Sequence, residues 1–326
     1  MSLKDFVLQN LEENRPSYVS GQQMAEMFQV SRAAVWKAIE ALRRDGYEIN
    51  SAPKKGYALL PSSDILSKGA IYHFLKSEYR SFSLHVYESI DSTNQAAKKM
   101  AVDGAAEGTV IVANTQTAGR GRMGRSFYSP AHSGIYMSMI LRPQTDISDT
   151  VLLTTAAGVA VCRAIESTCK KPCFIKWLND IYLDEKKICG ILTEAMTNCE
   201  TGLVDSVIVG IGVNFKTPAH AFPTELQSRA GSIFSDEIPS VTRSHLIAEI
   251  VNKFMDLYAD FTQKEFLKEY HSRSFVLGKQ ISYFAQNQWH DALALDIADN
   301  GGLIVRDKEG KIHTLHSGEI TLRNID

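Results

Sequence analysis

Hydrophobic positions near the start of the chain recur with the period of an α-helix. Val35, Ile39 and Leu42 lie at i, i+4 and i+7, which places them on one face of a single helix. Ser31 stands directly before this helix and Ser20 before a shorter helical segment upstream, so both serines predict N-caps. Two consecutive helices joined by a tight turn predict a helix-turn-helix.

The pattern changes after Gly46 to that of two short strands. Apolar-rich runs from Tyr47 to Ile49 and from Tyr57 to Leu60 flank a Pro-Lys-Lys-Gly sequence at 53–56, which is a turn signal. The unit therefore resembles a winged helix-turn-helix with a basic wing tip. We predict that this domain covers residues 1–62 and that Pro61-Ser62-Ser63 forms the linker to the next domain.

Strand-like runs alternate with helical patterns through the middle of the chain. The strand-like runs are Leu84 to Glu88, Thr109 to Asn114, Gly134 to Leu141, Lys187 to Glu194 and Ser206 to Val213, and the helical patterns are Thr93 to Ala101 and Thr150 to Cys169. A mixed sheet flanked by helices suits this alternation. From about Phe275 onward, short strands separated by turns at 300–302 and 308–310 predict a small all-β barrel. The expected fold class is α+β, with later domains at 66–272 and 273–326.

Composition and charge restrict the function without assigning one. The 326 residues are 44% hydrophobic, enough for two or three domains with cores of their own. The formal net charge of −2 means that any nucleic-acid contact must come from a local basic patch. The N-terminus lacks the pattern of a secretory signal, and the most apolar stretch, Val151 to Cys162, is about half the length of a bilayer span. We expect a cytoplasmic protein without a membrane partner.

The cysteines argue against two kinds of stabilising site. Five are present, an odd number without a C-x-x-C pair: Cys162, Cys169, Cys173, Cys189 and Cys199. This arrangement argues against a disulfide framework and against a structural zinc site. We expect free thiols in a reducing compartment, and we predict no metal ligands.

The polar face of the predicted second helix carries clustered positive charge. Residues 31–60 contain six basic and three acidic side chains. We predict that DNA is contacted by Ser31, Arg32, Ala33, Trp36, Lys37 and Arg44 in the major groove and by Lys54 and Lys55 at phosphates. A solvated face on a protein-binding winged helix is the alternative.

Glycine and arginine alternate from Gly119 to Arg125, a segment here called the Gly-Arg loop. It formally matches the dinucleotide-binding pattern G-x-G-x-x-G, but that pattern needs a helix directly after the glycines. Ser126 to Pro130 leads instead into a strand-like run, so we reject a dinucleotide fold. Glycines let backbone N–H groups approach an anion, and arginine adds bidentate positive charge. The pattern predicts an anion-binding loop that is mobile when empty, with a solvated basic loop as the alternative.

Five motifs occur in the order found in biotin protein ligases. They are Ser92-Thr93-Asn94-Gln95, the segment Gln116 to Arg125, Lys176-Trp177-Leu178-Asn179-Asp180, Lys187-x-x-Gly190-Ile191-Leu192 and Gly210-Ile211-Gly212-Val213-Asn214. Together with the winged helix, they resemble over the whole chain the family of bifunctional biotin ligases and biotin-operon repressors. The resemblance implies a central domain with the class II aminoacyl-tRNA synthetase and lipoate-ligase fold, followed by an SH3-like barrel.

The resemblance also implies an activity. Biotin, ATP and Mg²⁺ would give biotinyl-5′-AMP, and biotin would then pass to a lysine of a biotin carboxyl carrier protein, such as that of acetyl-CoA or pyruvate carboxylase. Mg²⁺ would arrive with ATP and keep most of its waters, so no dedicated metal cage is expected. As a ligand-induced homodimer on operator DNA, the chain would repress genes of biotin biosynthesis and transport, with biotinyl-5′-AMP as corepressor.

Each motif contributes residues to the implied site. Lys187, Arg122 and Asp180 are predicted to be catalytic, with Lys187 between the biotin carboxylate and the α-phosphate. Ligand contacts are predicted for Ser92, Thr93, Asn94, Gln116, Arg120, Gly121, Arg122, Phe127, Lys176, Asn179, Lys187 and Asn214. Lys186 competes with Lys187, but the spacing to Gly190 favours Lys187.

Two departures from the family pattern stand inside these motifs. Leu178 replaces a proline and gives up its fixed φ, and Phe127 replaces a tryptophan, keeping an aromatic face near the adenine but no N–H donor. Trp177 suits core packing as well as ligand contact. Near the C-terminus, Glu319 and Arg323 are expected either to help close the barrel over the nucleotide or to form a structural ion pair.

Three alternative functions remain open. A regulator that makes biotinyl-AMP only as a signal would show no transfer to a carrier. A lipoate-type ligase on the same fold would adenylate lipoate, which the Gly-Arg loop argues against. A non-enzymatic DNA-binding module would leave that loop and Lys187 unexplained.

We also predict where a second protomer docks. The Gly-Arg loop, ordered around biotinyl-AMP, is expected to form a docking face with the strand edges around Gly134 to Leu141 and Ile188 to Glu194. The carrier protein would use the same face, so carrier and second protomer would compete.

Overall fold

The computed structural model describes residues 2–143, 150–197, 204–285 and 288–322. It divides the chain into two compact units, each treated by itself. The first comprises Met1–Ser81 with Asp236–Glu249, and the second comprises Phe82–Ser235 with Ile250–Asp326.

The first unit contains the predicted winged helix-turn-helix. Its elements are α1 (Leu3–Glu13), α2 (Gly21–Met27), α3 (Arg32–Arg44), β1 (Ile49–Ala52), β2 (Gly56–Leu59) and α4 (Lys68–Phe74). Ser20 and Ser31 are the N-caps of α2 and α3, as the sequence predicted. Val35, Ile39 and Leu42 are buried in the core. The wing strands pair antiparallel, with β1 beginning two residues later than the predicted Tyr47.

The segment predicted to be a linker is bonded to the winged helix. The Arg15 guanidinium donates to the carbonyls of Leu60 and Ser63, each at 2.9 Å, and the Ser63 hydroxyl accepts from the amide of Glu48 at 3.1 Å. Ala70 of α4 is buried in the same core cluster. The predicted boundary at residue 62 therefore falls inside the first unit, because its apolar core and these hydrogen bonds extend past that point.

The second unit is built on a seven-stranded mixed sheet. Its strands are β3 (Leu84–Ile90), β4 (Val110–Gln116), β5 (Gly134–Leu141), β6 (Phe174–Lys176), β7 (Asp180–Leu183), β8 (Lys186–Thr197) and β9 (Val204–Asn214), in the order β3-β4-β5-β9-β8-β7-β6. The later helices of the chain are α5 (Thr93–Val102), α6 (Thr150–Cys169), α7 (Thr224–Gln227), α8 (Arg243–Ala259) and α9 (Phe266–Arg273). Strands β3 and β4 are parallel and the remaining neighbours antiparallel, which confirms the mixed sheet.

Helix α6 is long and apolar enough to span a membrane by length and composition alone, because it extends beyond the apolar stretch singled out in the sequence. However, 72% of its most apolar window is buried inside the protein. Thr154 in this helix donates to Thr193 of β8 at 2.8 Å. These features are those of a core helix packed on the sheet.

The C-terminal part forms a five-stranded antiparallel sheet, as predicted. Its strands are β10 (Gln280–Ala285), β11 (Gln288–Ile297), β12 (Leu303–Asp307), β13 (Ile312–Leu315) and β14 (Ile320–Leu322), in the order β13-β12-β11-β10-β14. The predicted turns follow β11 and β12, and Gly301 and Gly310 adopt positive φ there. Trp289, near the start of β11, is half exposed.

One expectation about strand edges is wrong. Strand β5 pairs with β4 on one side and β9 on the other, and all its residues are buried, so it offers no free edge. Strand β8 pairs with β9 almost throughout but with β7 only as far as Gly190. Of the two predicted edges, only residues 192–197 of β8 lack a neighbouring strand on one side within the described part of the chain, because the backbone of Ile191 is bonded to Asn179.

Candidate active site and DNA-contact face

A small pocket lies inside the second unit, and we call it the inner pocket. It encloses about 30 Å³ and is lined by Ser92, Thr93, Asn94, Gln116, Arg120, Phe127, Tyr136, Met137, Gly190, Leu192, Gly210, Ile211 and Gly212. The amide of Thr93 donates to Gln116 Oε1 at 2.8 Å, and Gln116 Nε2 donates to Ser129 Oγ at 3.0 Å. Fixed polar groups in a mostly apolar wall suit a small ring that carries both donors and acceptors.

Glycines of β9 create the room for this pocket. A Cβ at Gly210 would lie 2.0 Å from Asn94 Oδ1, and a Cβ at Gly212 would lie 2.6 Å from the Phe127 ring. Any larger residue would therefore displace a pocket-lining side chain. This close approach explains the Gly-Ile-Gly spacing in the sequence motif.

A larger cavity of about 760 Å³, the outer cleft, adjoins the inner pocket. Its walls carry six basic side chains, Arg120, Arg122, Arg125, Lys176, Lys187 and Arg229, against three acidic ones, Asp180, Glu225 and Glu319. Gln116, Arg120, Phe127, Gly190 and Leu192 line both cavities. A cationic cleft that shares a wall with a small pocket suits an anionic ligand with a compact head group.

The two neighbouring lysines at the start of β8 point to different places. Lys187 lines the outer cleft, where its Nζ lies 2.6 Å from Asp180 Oδ1. Lys186 donates instead to the carbonyls of Gln227 and Ser228. Of the two lysines, Lys187 is the one that lines the outer cleft, and its catalytic role stays a prediction.

Arg122 is held across the cleft by the Lys-Trp-Leu-Asn-Asp segment. Its Nη1 donates to Asn179 Oδ1 at 3.1 Å. Asn179 is fixed in turn, because its Nδ2 donates to the carbonyl of Ile191 at 2.7 Å and its own carbonyl accepts from the Ile191 amide at 2.9 Å. Burial lowers the pKa of Arg122, and the negative charge of Asp180 opposes that shift. The guanidinium remains charged at neutral pH.

The turn at Leu178 is held by contacts on both sides. Trp177 is buried and its indole N–H donates to the carbonyl of Gly301 at 3.0 Å, while the Tyr270 hydroxyl donates to the carbonyl of Leu178 at 2.8 Å. The Trp177–Leu178 peptide is cis. Trp177 is therefore a packing residue that also lines the cleft. Burial lowers the pKa of neighbouring Lys176, against the opposing charge of Asp180.

The Gly-Arg loop closes on itself without a following α-helix. The amide of Gly121 donates to the carbonyl of Arg125 at 2.7 Å, and that of Phe127 to the carbonyl of Gly119 at 2.9 Å. One 3₁₀ turn at Arg122–Gly124 precedes the approach to β5, which agrees with the rejection of a dinucleotide fold. The guanidinium of Arg125 forms an ion pair with Glu319, a pairing that the sequence did not predict, because Glu319 was considered together with Arg323. Arg323 lies outside the described residues.

The remaining predicted ligand residues lie in the same two cavities. Gly121 lines the outer cleft, as does Asn214, whose Nδ2 donates to the carbonyl of Gly231 at 2.9 Å. One residue was missed. Ser138 of β5 is fully buried, and its Oγ lies 2.8 Å from Thr93 Oγ1 and 2.6 Å from Asn94 Oδ1. The single serine in the mostly apolar strand β5 was the available signal.

Two further predictions concern metal ligands and the state of the cysteines. Within the described ranges, no group of three or more His, Cys, Asp or Glu side chains could hold a metal ion. Cys162, Cys169, Cys173 and Cys189 are free, buried thiols, and burial raises the pKa of each. Cys199 lies outside the described residues.

The residues predicted to contact DNA lie at α3 and in the wing turn of the first unit. Ser31, Arg32, Ala33, Trp36, Lys37 and Arg44 on α3 and Lys54 and Lys55 in the wing turn are all exposed. The Ser31 hydroxyl also caps α3 by accepting from the Ala34 amide. Arg43 differs, because its guanidinium donates to the carbonyl of Ile49 and to Ser51 of the wing. Arg43 therefore fixes the wing against α3.

Family comparisons define the class of each part. Residues 86–214 match the biotin/lipoate A/B protein ligase family, residues 4–58 match an HTH domain, and residues 291–323 match the biotin protein ligase C terminal domain. Fold and site thus define a biotin/lipoate-type ligase domain joined to a helix-turn-helix domain and a ligase C-terminal domain.

Two relatives match this chain over nearly its whole length. The bifunctional ligase/repressor BirA of Bacillus spizizenii is 36% identical over 98% of this chain and 99% of its own length, and that of Bacillus subtilis is 37% identical over 94% of each. The biotin protein ligase of Aquifex aeolicus, solved with biotin and ATP, aligns with a TM-score of 0.62 and 27% identity over 74% of this chain and 98% of its own. The chain belongs to the family of bifunctional biotin ligase/repressors.

Proposed function

We propose that the chain is an ATP-dependent biotin–protein ligase and a transcriptional repressor, acting in the cytoplasm. The observation that carries the ligase function is the shared wall between the inner pocket and the cationic outer cleft. A biotin ring held in the inner pocket would direct its carboxylate tail into the cleft, where a nucleotide phosphate would meet it.

The first step joins two anions, and Lys187 is the group placed to allow this. A carboxylate oxygen of biotin attacks the α-phosphorus of ATP, and pyrophosphate leaves. Lys187 offsets the repulsion between the two reactants, while Asp180 at 2.6 Å holds the ammonium in the cleft beforehand. Mg²⁺ bound to ATP would supply screening of the remaining phosphate charge while keeping most of its waters, so no protein ligand is assigned to it.

The cationic residues on either side have separate roles. Arg120 and Arg122 neutralise the acyl phosphate of the intermediate, and Lys176 and Asn179 face the triphosphate. Phe127, which lines both cavities, shields the adenylate, and Asn214 borders the nucleotide side. In the second step a carrier lysine attacks the acyl carbon, loses a proton and releases AMP, with Asp180 near the incoming amine.

The decisive experiment is direct. The pure chain is incubated with biotin, ATP, Mg²⁺ and a biotin-carrier domain, and intact-mass spectrometry is used to detect a biotinyl addition on the carrier. Biotinyl-AMP without any carrier product would instead support a signalling regulator. Covalent attachment of lipoate to the carrier, in a parallel incubation with lipoate in place of biotin, would support a lipoate-type ligase.

Arg122→Gly is expected to retain biotinyl-AMP synthesis but to release biotinyl-AMP into solution. The reason is that the Arg122 guanidinium, tethered by Asn179 over the cleft, supplies fixed positive charge beside the acyl phosphate. We expect unrelated lysines in an added bystander protein to become biotinylated, as measured by mass spectrometry. Arg122→Lys, which keeps the charge, is the matched control. Labelling that stays confined to the carrier would contradict the retention role.

We also propose that biotinyl-AMP promotes a homodimer through the face formed by the Gly-Arg loop and the free edge of β8. An unpaired strand edge offers backbone hydrogen bonds to a second copy. Ordering of the adjacent loop around the intermediate would complete this face. Since linkage is reciprocal, dimer formation would also tighten the binding of biotinyl-AMP.

Sedimentation is expected to show this coupling and its competition with the carrier. Biotinyl-AMP should raise the dimer fraction, and unbiotinylated carrier added to the loaded protein should lower it, because both partners use one face. Biotinylated carrier is the control, because its acceptor lysine is already modified. A dimer fraction unchanged by both additions would contradict this mechanism without affecting the proposed ligase function.

A further inference from the structure

Behind the inner pocket lies a buried chain of polar groups that the reaction described above does not use. It runs from Glu194 on β8 through Asn94 on α5 and Ser138 on β5 to Thr93, which lines the pocket. Ser138 does not line the pocket itself, so any effect it has on a ligand passes through its two partners in the pocket wall, Thr93 and Asn94.

The hydrogen bonds at the Glu194 end of this row of polar groups have a fixed direction. The Glu194 carboxylate pairs with Lys98 Nζ at 2.6 Å through Oε1 and accepts from Asn94 Nδ2 at 2.8 Å through Oε2. The same Nδ2 also faces the carbonyl of Leu192 at 3.3 Å. Because both neighbours of Nδ2 are acceptors, the Asn94 amide has one orientation, and its Oδ1 faces Ser138 as an acceptor.

The two hydroxyls that follow supply two protons for three close oxygen–oxygen contacts. Ser138 Oγ lies 2.6 Å from Asn94 Oδ1 and 2.8 Å from Thr93 Oγ1, and Thr93 Oγ1 lies 3.1 Å from Gln116 Oε1. Each hydroxyl has a single proton. If Ser138 donated to Thr93, the 2.6 Å contact with Asn94 would bring two oxygens together with no proton between them. The two shortest contacts take the two protons, so Ser138 donates to Asn94 and Thr93 donates to Ser138. The longest contact, between Thr93 Oγ1 and Gln116 Oε1, is left without a proton, and the Thr93 amide N–H holds Gln116 Oε1 there.

The consequence is a pocket wall that accepts and does not donate. The Thr93 proton points into the protein, so the Thr93 oxygen presents lone pairs to the pocket. Gln116 Oε1 is an acceptor as well, since Gln116 Nε2 is already engaged with Ser129. A ligand group placed here must supply N–H or O–H donors.

We propose that Ser138 is a positioning residue for ligand selection, which fixes Thr93 as an acceptor and so selects the N–H groups of a cyclic urea. The dithiolane ring of lipoate has no donor to offer at this wall. The inference rests on the proposed biotin ligase function and explains how a fold shared with lipoate ligases would distinguish the two rings.

The test compares biotin with an isosteric analogue whose two ureido N–H groups are replaced by ring oxygens. Wild type is expected to discriminate against this cyclic carbonate on the order of 10⁴-fold. Ser138→Ala is expected to raise the KM for biotin about tenfold with little change in kcat, as for one lost hydrogen bond. Discrimination should also fall about tenfold, because the freed Thr93 hydroxyl can turn its proton toward the ring oxygen.

Two further variants separate positioning from simple structural damage. Ser206→Ala is the matched control, since Ser206 is an equally buried serine on neighbouring β9 whose hydroxyl has no partner among the described residues. It should leave both KM and discrimination unchanged. Glu194→Gln keeps the shape but lets the Asn94 amide reverse, and it should reduce discrimination in the same direction as Ser138→Ala.

Different results would overturn the positioning role of Ser138 and the proposed ligase function. Equal weakening of biotin and carbonate in Ser138→Ala, with discrimination intact, would overturn the positioning role, as would wild-type behaviour of both Ser138→Ala and Glu194→Gln. Wild-type protein that fails to bind biotin in a calorimetric titration would overturn the proposed function itself, and this inference with it.

Discussion

Lys187→Ala is expected to reduce the rate of biotinyl-AMP formation by about 10²–10³-fold, the usual cost of removing a group that stabilises developing charge. Without the ammonium, the biotin carboxylate and the α-phosphate meet with their repulsion only partly offset, and Asp180 adds a further negative charge to the cleft. The fold should be unaffected, because the Lys187 side chain is about one-third exposed and its ion pair contributes little to stability. Pyrophosphate release in the absence of carrier measures this step.

Lys186→Ala is the matched control. It removes an identical charge one residue away, but Lys186 donates to the backbone of Gln227 and Ser228 and does not line the cleft. We expect near-normal pyrophosphate release from this variant. Wild-type rates in Lys187→Ala, or equal losses in both variants, would show that the charge is not required at this position.

The double variant Lys54→Ala/Lys55→Ala is expected to weaken binding to every DNA sequence and to flatten its salt dependence. Both lysines are exposed in the wing turn, where they can reach phosphates without reading bases. Each phosphate contact contributes about 0.9 to the slope of log K against log salt, so a dimer should lose up to about 3.6 of slope. Titrations of operator and unrelated DNA across salt concentrations measure the change.

Lys68→Ala provides the control for total charge, because Lys68 is exposed on α4, outside the recognition helix and wing. Its slope should match that of wild type. The same protein should protect a palindromic site with half-site centres about 34–36 Å apart, or a multiple of that distance. Protection of one asymmetric half-site at saturation would contradict binding as a dimer.

Local sequence signals predicted most of the fold because each of them acts over a few residues. The caps Ser20 and Ser31 and the apolar stripe on α3 depend on helical spacing alone. Strand β5 was predicted with its observed bounds, since an unbroken apolar run between turns defines it. The boundary near residue 62 could not be placed in this way, because it depends on the long-range contacts of Arg15 and Ala70.

Prediction of the site from sequence was limited in the same way, by contacts between residues that are distant along the chain. The family resemblance predicted that Lys187 and the Gly-Arg loop share one site, but strand order decided that β5 is central and has no free edge. The partnership of Arg125 with Glu319 joins residues far apart in the chain. Ser138 was overlooked because its significance lies in the direction of its hydrogen bonds, which requires the positions of Asn94 and Thr93.

The three tryptophans of the chain fall one in each functional part, and this distribution makes the protein its own fluorescent reporter. Trp36 is half exposed on the recognition helix, Trp177 is buried beside the outer cleft, and Trp289 is half exposed on the C-terminal sheet. In single-tryptophan variants, quenching of Trp36 would report DNA contact, whereas the emission wavelength of Trp177 would report occupation of the cleft. A variant that keeps only Trp289, outside both sites, would supply the reference, so each binding event could be followed without an attached dye.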